Sequence, residues 1–222
     1  MEYLEQCIHS ALYQDYDDYI VWAYDNESSD GTYEYLLELE KEHEKLKVFQ
    51  VPNIHPNGYR EAIEHVTENS ESDYITFVGS DDFIEATYLS KCMQVIAHNP
   101  DKIRCVQSGI TSVNEGQIVN YQIHSYKSLK EFKEECLNRS PINTPTVIYH
   151  KSLFPYMLKQ EAHIDAGASC IGGGDYDMFC YLADQGIFIY PIPQCFGYYY
   201  RWHDKQCTWK VHEKKQEVDY DK

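Results

Sequence analysis

The fold class of this chain is decided by the stretch Tyr74-Ile75-Thr76-Phe77-Val78-Gly79-Ser80-Asp81-Asp82. Its first five residues are mostly apolar, β-branched or aromatic, which is typical of a strand buried on both faces. The strand ends in a glycine and two adjacent carboxylates, and residues 86–98 carry apolar side chains at helical spacing. A buried strand followed by a polar turn and a helix is the repeating unit of α/β proteins.

Strand-like and helix-like segments alternate on both sides of this stretch. Helical spacing predicts helices at residues 2–13, 32–46, 59–68, 86–98, 128–138 and 175–184. Short apolar runs predict strands at residues 19–24, 47–51, 74–78, 104–113, 117–124, 146–150, 187–190 and 196–200. The alternation predicts an α/β fold with a mostly parallel or mixed central sheet flanked by helices. We expect one core domain at residues 1–205 and a polar tail at residues 206–222.

The composition limits the classes of partner and location. The chain has 19 Lys+Arg against 36 Asp+Glu, and this acidic balance argues against nucleic acid, which needs a basic surface. No apolar run reaches the ~18 residues of a membrane span and no signal peptide is visible. We therefore predict no transmembrane segment, with peripheral membrane association left open. The eight cysteines form no C-x-x-C pair, which favours a reducing, cytoplasmic location.

Acidic side chains follow two of the predicted strands and begin one predicted helix. Strand 19–24 runs into Asp25, strand 74–78 runs into Asp81, and Asp175 opens the helix at 175–184. Because ligands bind beyond the carboxyl ends of the strands in such sheets, we expect the chemistry of the protein at these three places.

These residues alone leave two interpretations of the adjacent carboxylates of Asp81 and Asp82 open. Adjacent carboxylates repel each other, and a divalent cation such as Mg²⁺ or Mn²⁺ relieves that repulsion while taking substrate phosphates as further ligands. The other reading is relief by a nearby helix N-terminus. The turn after Asp25 is not a calcium loop, because its twelfth position is Leu37, where a bidentate glutamate is needed.

Four motifs in this order resemble those of the family 2 glycosyltransferases. An opening helix at residues 3–16 leads to a turn at residues 25–32, similar to the family's D-D-G-S-T-D-G-T-like loop. Residues 74–82 are similar to its D-x-D segment, residues 173–178 to its G-E-D-x-D-L segment and residues 200–203 to its Y-R-x-H segment. The resemblance implies a GT-A fold. It also implies the inverting, metal-assisted transfer of a sugar from a nucleotide-diphosphate donor, such as a UDP-sugar, to a hydroxyl of a glycan or other acceptor.

The resemblance also implies roles for single residues that bind the donor. Asp25, with Asn26, holds the base or ribose of the nucleotide sugar. Asp81 contacts the diphosphate through the metal, and Arg201 lies with His203 on a mobile loop that closes on the diphosphate.

The implied cofactor is Mn²⁺ or Mg²⁺, held by Asp81, Asp82 and His203. Asp175 matches the general base that deprotonates the acceptor hydroxyl, and its other reading is a charge that stabilises the start of its helix. Taken alone, His203 is more often a surface histidine than a ligand, and the Tyr200-Arg201-Trp202-His203 context makes the two interpretations equal.

Three features depart from the family pattern. Gly79 stands at the first aspartate of D-x-D, and Gly174 stands at the glutamate of G-E-D. The family's opening strand, with its P-x-Y-N-like end, has no counterpart before Met1. We therefore expect an exposed strand edge beside the nucleotide site, in a shortened or degenerate relative.

Two further functions remain as alternatives. One is a catalytically impaired relative that acts as a sugar-nucleotide or glycan-binding module. The other is a metal-dependent phosphate-ester hydrolase that uses the same acidic turns, although the chain shows no nucleophile motif for that chemistry.

Overall fold

The structure is a computed structural model that describes residues 2–52, 58–157 and 174–206. The helices in these ranges are α1 (Leu4–Leu12), α2 (Thr32–Glu42), α3 (Gly58–Asn69), α4 (Tyr88–His98), α5 (Leu129–Cys136), α6 (Phe154–Met157) and α7 (Gly174–Asp184). The strands are β1 (Val21–Asp25), β2 (Leu46–Gln50), β3 (Tyr74–Thr76), β4 (Phe83–Ile84), β5 (Cys105–Ser108), β6 (Ile110–Asn114), β7 (Gln117–Gln122), β8 (Val147–His150), β9 (Tyr190–Ile192) and β10 (Tyr198–Trp202).

The described strands form three hydrogen-bonded sheets. The first is the parallel pair β1–β2, the second has the order β3-β8-β5-β9 and the third has the order β4-β10-β6-β7. Pairing is parallel in β1–β2, β5–β9 and β6–β10, and antiparallel in the other four pairs. The predicted α/β fold with a mixed sheet is confirmed. Antiparallel pairing is more frequent than the β–α alternation suggested, because β8 inserts antiparallel between β3 and β5.

The predicted strand at 104–113 is two strands that separate at Gly109. Strand β5 lies in the second sheet and β6 in the third, so the chain changes sheets at this glycine. The Gly109 N–H donates to the carbonyl of Cys195 at 2.8 Å, and the Phe196 ring lies against the Gly109 Cα. A Cβ at position 109 would lie 2.6 Å from the Phe196 ring, so only glycine allows this close approach.

Replacing Gly109 by alanine is expected to lower the free energy of unfolding by about 1–3 kcal/mol, as overpacking in a core does. The new methyl group would collide with the Phe196 ring and with the Cys195 carbonyl, 3.2 Å from the added Cβ. Urea unfolding of the variant beside Gly116→Ala measures the effect. Gly116 has open space around its Cα and a φ of 77°, so that control reports backbone strain alone. An unfolding free energy equal to that of the unsubstituted protein would contradict the close contact.

The buried apolar side chains of the described residues form three clusters. The first sheet packs on α1 and α2, and the helix residues of its cluster are Ile8, Leu12, Leu36 and Leu39. In the second cluster, α4 contributes Tyr88, Cys92 and Ile96 beside residues of the other two sheets. In the third, α5 and α7 meet through Phe132, Met178, Phe179 and Leu182. This packing fixes the carboxyl ends of β1 and β3, where the acidic residues lie.

No helix in the described ranges has both the length and the apolar character needed to cross a bilayer. The six described cysteines are free thiols. The predicted tail at 206–222 falls outside the described residues from position 207 onward.

Candidate functional site

The predicted acidic clusters lie on the walls of one cavity. Its volume is about 2030 Å³, which exceeds the ~300–1,000 Å³ of ordinary ligand pockets. Strands β1 and β3 line it along their whole length, and α1 and α4 contribute apolar side chains. The predicted site residues on its walls are Asp25, Asn26, Asp81, Asp82, Asp175 and His203. The structure therefore brings together residues that are up to 178 positions apart in the sequence, from Asp25 to His203.

Asp25 is a buried carboxylate with one oxygen left for a ligand. It is the last residue of β1 and is 3% exposed. Its Oδ2 accepts hydrogen bonds from the backbone N–H of Ser28 at 3.1 Å and from Nε2 of Gln50 at 3.2 Å. Its Oδ1 is buried without a hydrogen-bond partner among the described residues. A buried acceptor of this kind is costly unless a donor satisfies it, so Oδ1 is suited to accept a hydrogen bond from a bound molecule. Asn26, the next residue, is exposed on the cavity wall.

The acidic turn at residues 79–82 folds the carboxylates of Asp81 and Asp82 back over Gly79. The Asp82 N–H donates to the Gly79 carbonyl at 2.9 Å, which closes the turn, and the Cys7 thiol donates to the same carbonyl at 3.2 Å. A Cβ at position 79 would lie 2.9 Å from Asp81 Oδ1 and 3.1 Å from Asp82 Oδ2. The glycine that departs from the D-x-D pattern therefore has a steric reason in this chain.

Asp82 is held inside the protein. It is 3% exposed, its Oδ1 accepts the backbone N–H of Arg201 at 2.9 Å, and its Oδ2 accepts the hydroxyl of Tyr198 at 2.8 Å. Burial raises the pKa of Asp82 to about 7, with a further rise from the charge of Asp81, although the two hydrogen bonds favour the charged form. Both oxygens of Asp82 are thus engaged by protein groups, and this placement gives less support to its predicted role as a metal ligand than to that of Asp81.

Asp81 and His203 form a pair on the cavity wall. Their atoms Oδ2 and Nε2 are 3.1 Å apart, and the imidazole packs against the Tyr3 ring with centroids 4.9 Å apart. Two neighbouring ligands of an octahedral ion, each about 2.1 Å from it, lie about 3 Å apart, so this spacing fits a shared cation. His203 Nδ1 is buried without a partner among the described residues. Among the described residues, no group of three or more potential metal ligands lies together. Substrate oxygens or water would therefore have to complete a coordination shell.

Arg201 is placed differently from the prediction. It belongs to β10 and not to a loop, and it is absent from the residues that line the cavity. Its Nε donates to the Asp81 carbonyl at 2.7 Å and its NH2 group donates to Gln6 Oε1 at 2.7 Å. The guanidinium lies 4.5 Å from the centroid of the Tyr3 ring. In this arrangement the side chain holds the acidic turn in place instead of pointing at a ligand.

Asp175 lies in the first turn of α7 and faces the same cavity. Its Oδ2 accepts the hydroxyl of Thr144 at 2.6 Å, and its Oδ1 accepts the backbone N–H of Tyr176 at 3.1 Å. These two donors fix the orientation of the carboxylate on the cavity wall. Gly173 and the side chain of Asp177, which belong to the same motif, lie outside the described residues.

Three residues of the site were not predicted. Tyr198 and Thr144 hold Asp82 and Asp175, and Lys205 adds a cation to the cavity wall, where it forms an exposed ion pair with Glu2 at 3.1 Å. Lys205 follows the Y-R-x-H segment by two positions, and that nearness is the single sequence signal for any of the three.

The sequence is similar to curated enzymes of glycan assembly. It is 24% identical over 198 residues to a chondroitin synthase of Pasteurella multocida (strain Pm70), a match that covers 88% of this chain and 19% of that protein. It is 22% identical over 208 residues to a dolichyl N-acetyl-alpha-D-glucosaminyl phosphate 3-beta-D-2,3-diacetamido-2,3-dideoxy-beta-D-glucuronosyltransferase of Methanococcus voltae, a match that covers 90% of this chain and 63% of that protein. The chain therefore spans less than two thirds of either relative.

The fold is similar to solved structures of TarS from S. aureus. TarS 1–349 in complex with UDP-GlcNAc superposes with a TM-score of 0.66 at 19% identity, over 96% of this chain and 60% of that one. The same protein in complex with UDP gives a TM-score of 0.65 at 18% identity, over 95% and 59%. This likeness confirms the predicted GT-A type of α/β fold. The model of the family described as "Glycosyl transferase family 2" matches residues 1–160, well over half of the chain. The chain belongs to glycosyl transferase family 2.

Proposed function

We propose that this chain transfers a sugar, with inversion, from a UDP-sugar to a hydroxyl of a growing surface polysaccharide or other glycan, with the help of a divalent metal ion. The observation that carries the proposal is the shared cavity of three acidic groups from separate segments. Asp25 has one buried oxygen without a partner among the described residues, Asp81 lies against His203, and Asp175 faces the same space.

The identity of the donor is supported by the relatives. TarS has been solved with UDP and with UDP-GlcNAc, and the curated relatives include a chondroitin synthase and a hyaluronan synthase. In this chain, Asp25 Oδ1 would accept an N–H of the base or a ribose hydroxyl, the donors that a nucleotide offers to a buried acceptor. Asn26, on the same wall, would contact the nucleotide beside it.

The metal ion is assigned to Asp81 and His203. Mn²⁺ or Mg²⁺ held by these two residues would supply positive charge that offsets the charge of the diphosphate leaving group. The protein keeps the two ligands together, and Lys205 offers a second positive charge on the same wall. Asp82 supports this arrangement from inside the protein. Arg201 does so as well, through its bond to the Asp81 carbonyl.

The acceptor is activated by Asp175 in this proposal. A carboxylate on the cavity wall takes the proton of the acceptor hydroxyl as its oxygen attacks the anomeric carbon, and the diphosphate leaves from the opposite face. The hydroxyl of Thr144 and the N–H of Tyr176 orient the carboxylate, so the base is in position for the proton before the acceptor binds.

Titration with UDP and a panel of UDP-sugars, with and without Mn²⁺, tests the donor and metal site. We expect Mn²⁺ to tighten UDP binding, and Asp81→Asn to weaken Mn²⁺-dependent binding by about 10- to 100-fold, because a charged ligand and the partner of His203 are lost together. Asp101→Asn is the matched control, since it removes the same charge from an exposed residue that does not line the cavity.

That titration, together with assays of sugar transfer and of phosphate release, separates the candidate functions. If no nucleotide binds in either condition, the transferase proposal fails. Nucleotide binding without sugar transfer to any acceptor in a panel of mono- and oligosaccharides would indicate the binding-module alternative. Release of phosphate from simple phosphate esters would indicate the hydrolase.

A further inference from the structure

Two residues of β10 contact three residues of the acidic turn at 79–82. The hydroxyl of Tyr198 donates to Asp82 Oδ2 at 2.8 Å and accepts the N–H of Gly79 at 3.2 Å. Three residues later, Arg201 uses its backbone N–H on Asp82 Oδ1 at 2.9 Å and its Nε on the Asp81 carbonyl at 2.7 Å. All these bonds fix the register of β10 against the turn.

The register decides where His203 lies. His203 follows Arg201 by two residues, and its Nε2 reaches Asp81 Oδ2 at 3.1 Å. A shift of β10 by one residue would turn its side chains to the other face, so the pair depends on this register. The carboxylate of Asp82 is the group of the turn that bonds to both Tyr198 and Arg201, and it is buried where no solvent can replace those bonds.

We propose that Asp82 is a positioning residue: its buried carboxylate joins the acidic turn to β10, so that Asp81 and His203 meet as one cation-binding pair. This inference rests on the proposed function for its metal, but the meeting of Asp81 and His203 is a property of the protein without metal. Gly79 supports this arrangement, because a Cβ there would lie 2.9 Å from Asp81 Oδ1 and 3.1 Å from Asp82 Oδ2, and the carboxylates would have to shift to make room for it.

The effect of Asp82→Asn on Mn²⁺ binding distinguishes a positioning residue from a metal ligand. In Asp82→Asn the amide oxygen can still accept the Arg201 N–H and the amide NH₂ can donate to the Tyr198 hydroxyl oxygen, so both contacts are kept, whereas Asp82→Ala removes both. A metal ligand loses its charge in either variant. A positioning residue is therefore rescued by asparagine and a ligand is not.

Two measurements on the full chain test the proposal. The first is Mn²⁺ affinity in the presence of UDP, measured from the electron paramagnetic resonance signal of free Mn²⁺. We expect Asp82→Ala and Asp81→Asn each to weaken binding by about 10- to 100-fold, and Asp82→Asn to stay within about threefold of the unsubstituted protein. The second is the ¹⁵N shift of the His203 imidazole without metal, which we expect to move in Asp82→Ala towards its value in Asp81→Asn and to stay in place in Asp82→Asn.

The outcomes are distinct. Loss of Mn²⁺ affinity in Asp82→Asn as large as in Asp81→Asn would make Asp82 a ligand and overturn the proposal. An unchanged His203 shift in folded Asp82→Ala would overturn it as well. Should Asp82→Ala fail to fold, Tyr198→Phe removes one of the two bonds to Asp82, and an unmoved His203 shift in that variant overturns the proposal. If the unsubstituted protein binds no Mn²⁺ with UDP, the proposed metal fails, and the imidazole shift still decides whether Asp82 positions His203.

Discussion

Replacing Asp25 by asparagine is expected to weaken UDP binding by roughly 10- to 150-fold, the equivalent of about 1.5–3 kcal/mol for a hydrogen bond to a charged group. The amide oxygen of the variant remains with the two donors that now hold Oδ2, Ser28 and Gln50. The amide NH₂ then takes the place of Oδ1, the oxygen that has no partner in the part of the chain that the structure describes. A donor thus faces the cavity where the carboxylate offered an acceptor, and a nucleotide N–H or O–H loses its partner there.

The stability of the free protein is expected to respond differently. Because the bonds from Ser28 and Gln50 persist and a buried charge is removed, the free energy of unfolding should stay within about 1 kcal/mol of its original value. Isothermal titration with UDP and urea unfolding measure the two effects. Glu27→Gln is the matched control, since it removes a charge from an exposed residue of the same turn that does not line the cavity. A variant Asp25→Asn that binds UDP as tightly as the control would remove Asp25 from the donor site.

The place of the acidic residues was predictable because it follows from chain order. Ligands bind beyond the carboxyl ends of strands in α/β folds, so Asp25 at the end of β1 and Asp81 after β3 were expected at the ligand site, although the two strands belong to separate sheets. Asp175 was expected there as the acidic residue that opens α7, the family-like motifs added His203, and all four residues line one cavity. Local patterns carry this information, since each motif lies within a few residues of the strand or helix that presents it.

The orientation of single side chains was not predictable from the same patterns. Asp82 turns inward because Tyr198, 116 residues away in the sequence, donates to it. The Arg201 side chain does not line the cavity, because its Nε donates to the Asp81 carbonyl, 120 residues away in the sequence. The break between β5 and β6 has the same origin, since the ring of Phe196 lies against Gly109. Hydropathy patterns indicate burial and periodicity, but they do not indicate contacts between segments that are distant in the sequence. These three features depend on such contacts.

Replacing Asp175 by asparagine is expected to lower kcat by about 10²- to 10⁴-fold, the range that general acid–base catalysis contributes. The KM for the donor is expected to change little, because the interaction with the acceptor proton develops in the transition state. The amide oxygen of asparagine can keep the hydrogen bond from the Tyr176 N–H, and its NH₂ can donate to the Thr144 hydroxyl oxygen, but the side chain loses the capacity to take a proton. Release of UDP in the presence of donor, Mn²⁺ and a panel of acceptor sugars measures both parameters.

Two further variants separate the chemistry of Asp175 from its effect on the helix. Asp184→Asn removes the same charge from the last residue of α7, where the side chain is exposed in an ion pair with Lys133, and should leave kcat unchanged. Thr144→Val removes the 2.6 Å donor to Asp175 and should lower kcat less than Asp175→Asn does, because the carboxylate can still take a proton and loses one of the bonds that orient it. If Asp175→Asn turns over as fast as Asp184→Asn, then Asp175 stabilises the start of α7 and another group deprotonates the acceptor. That result would leave the donor and metal assignments standing, since neither depends on Asp175.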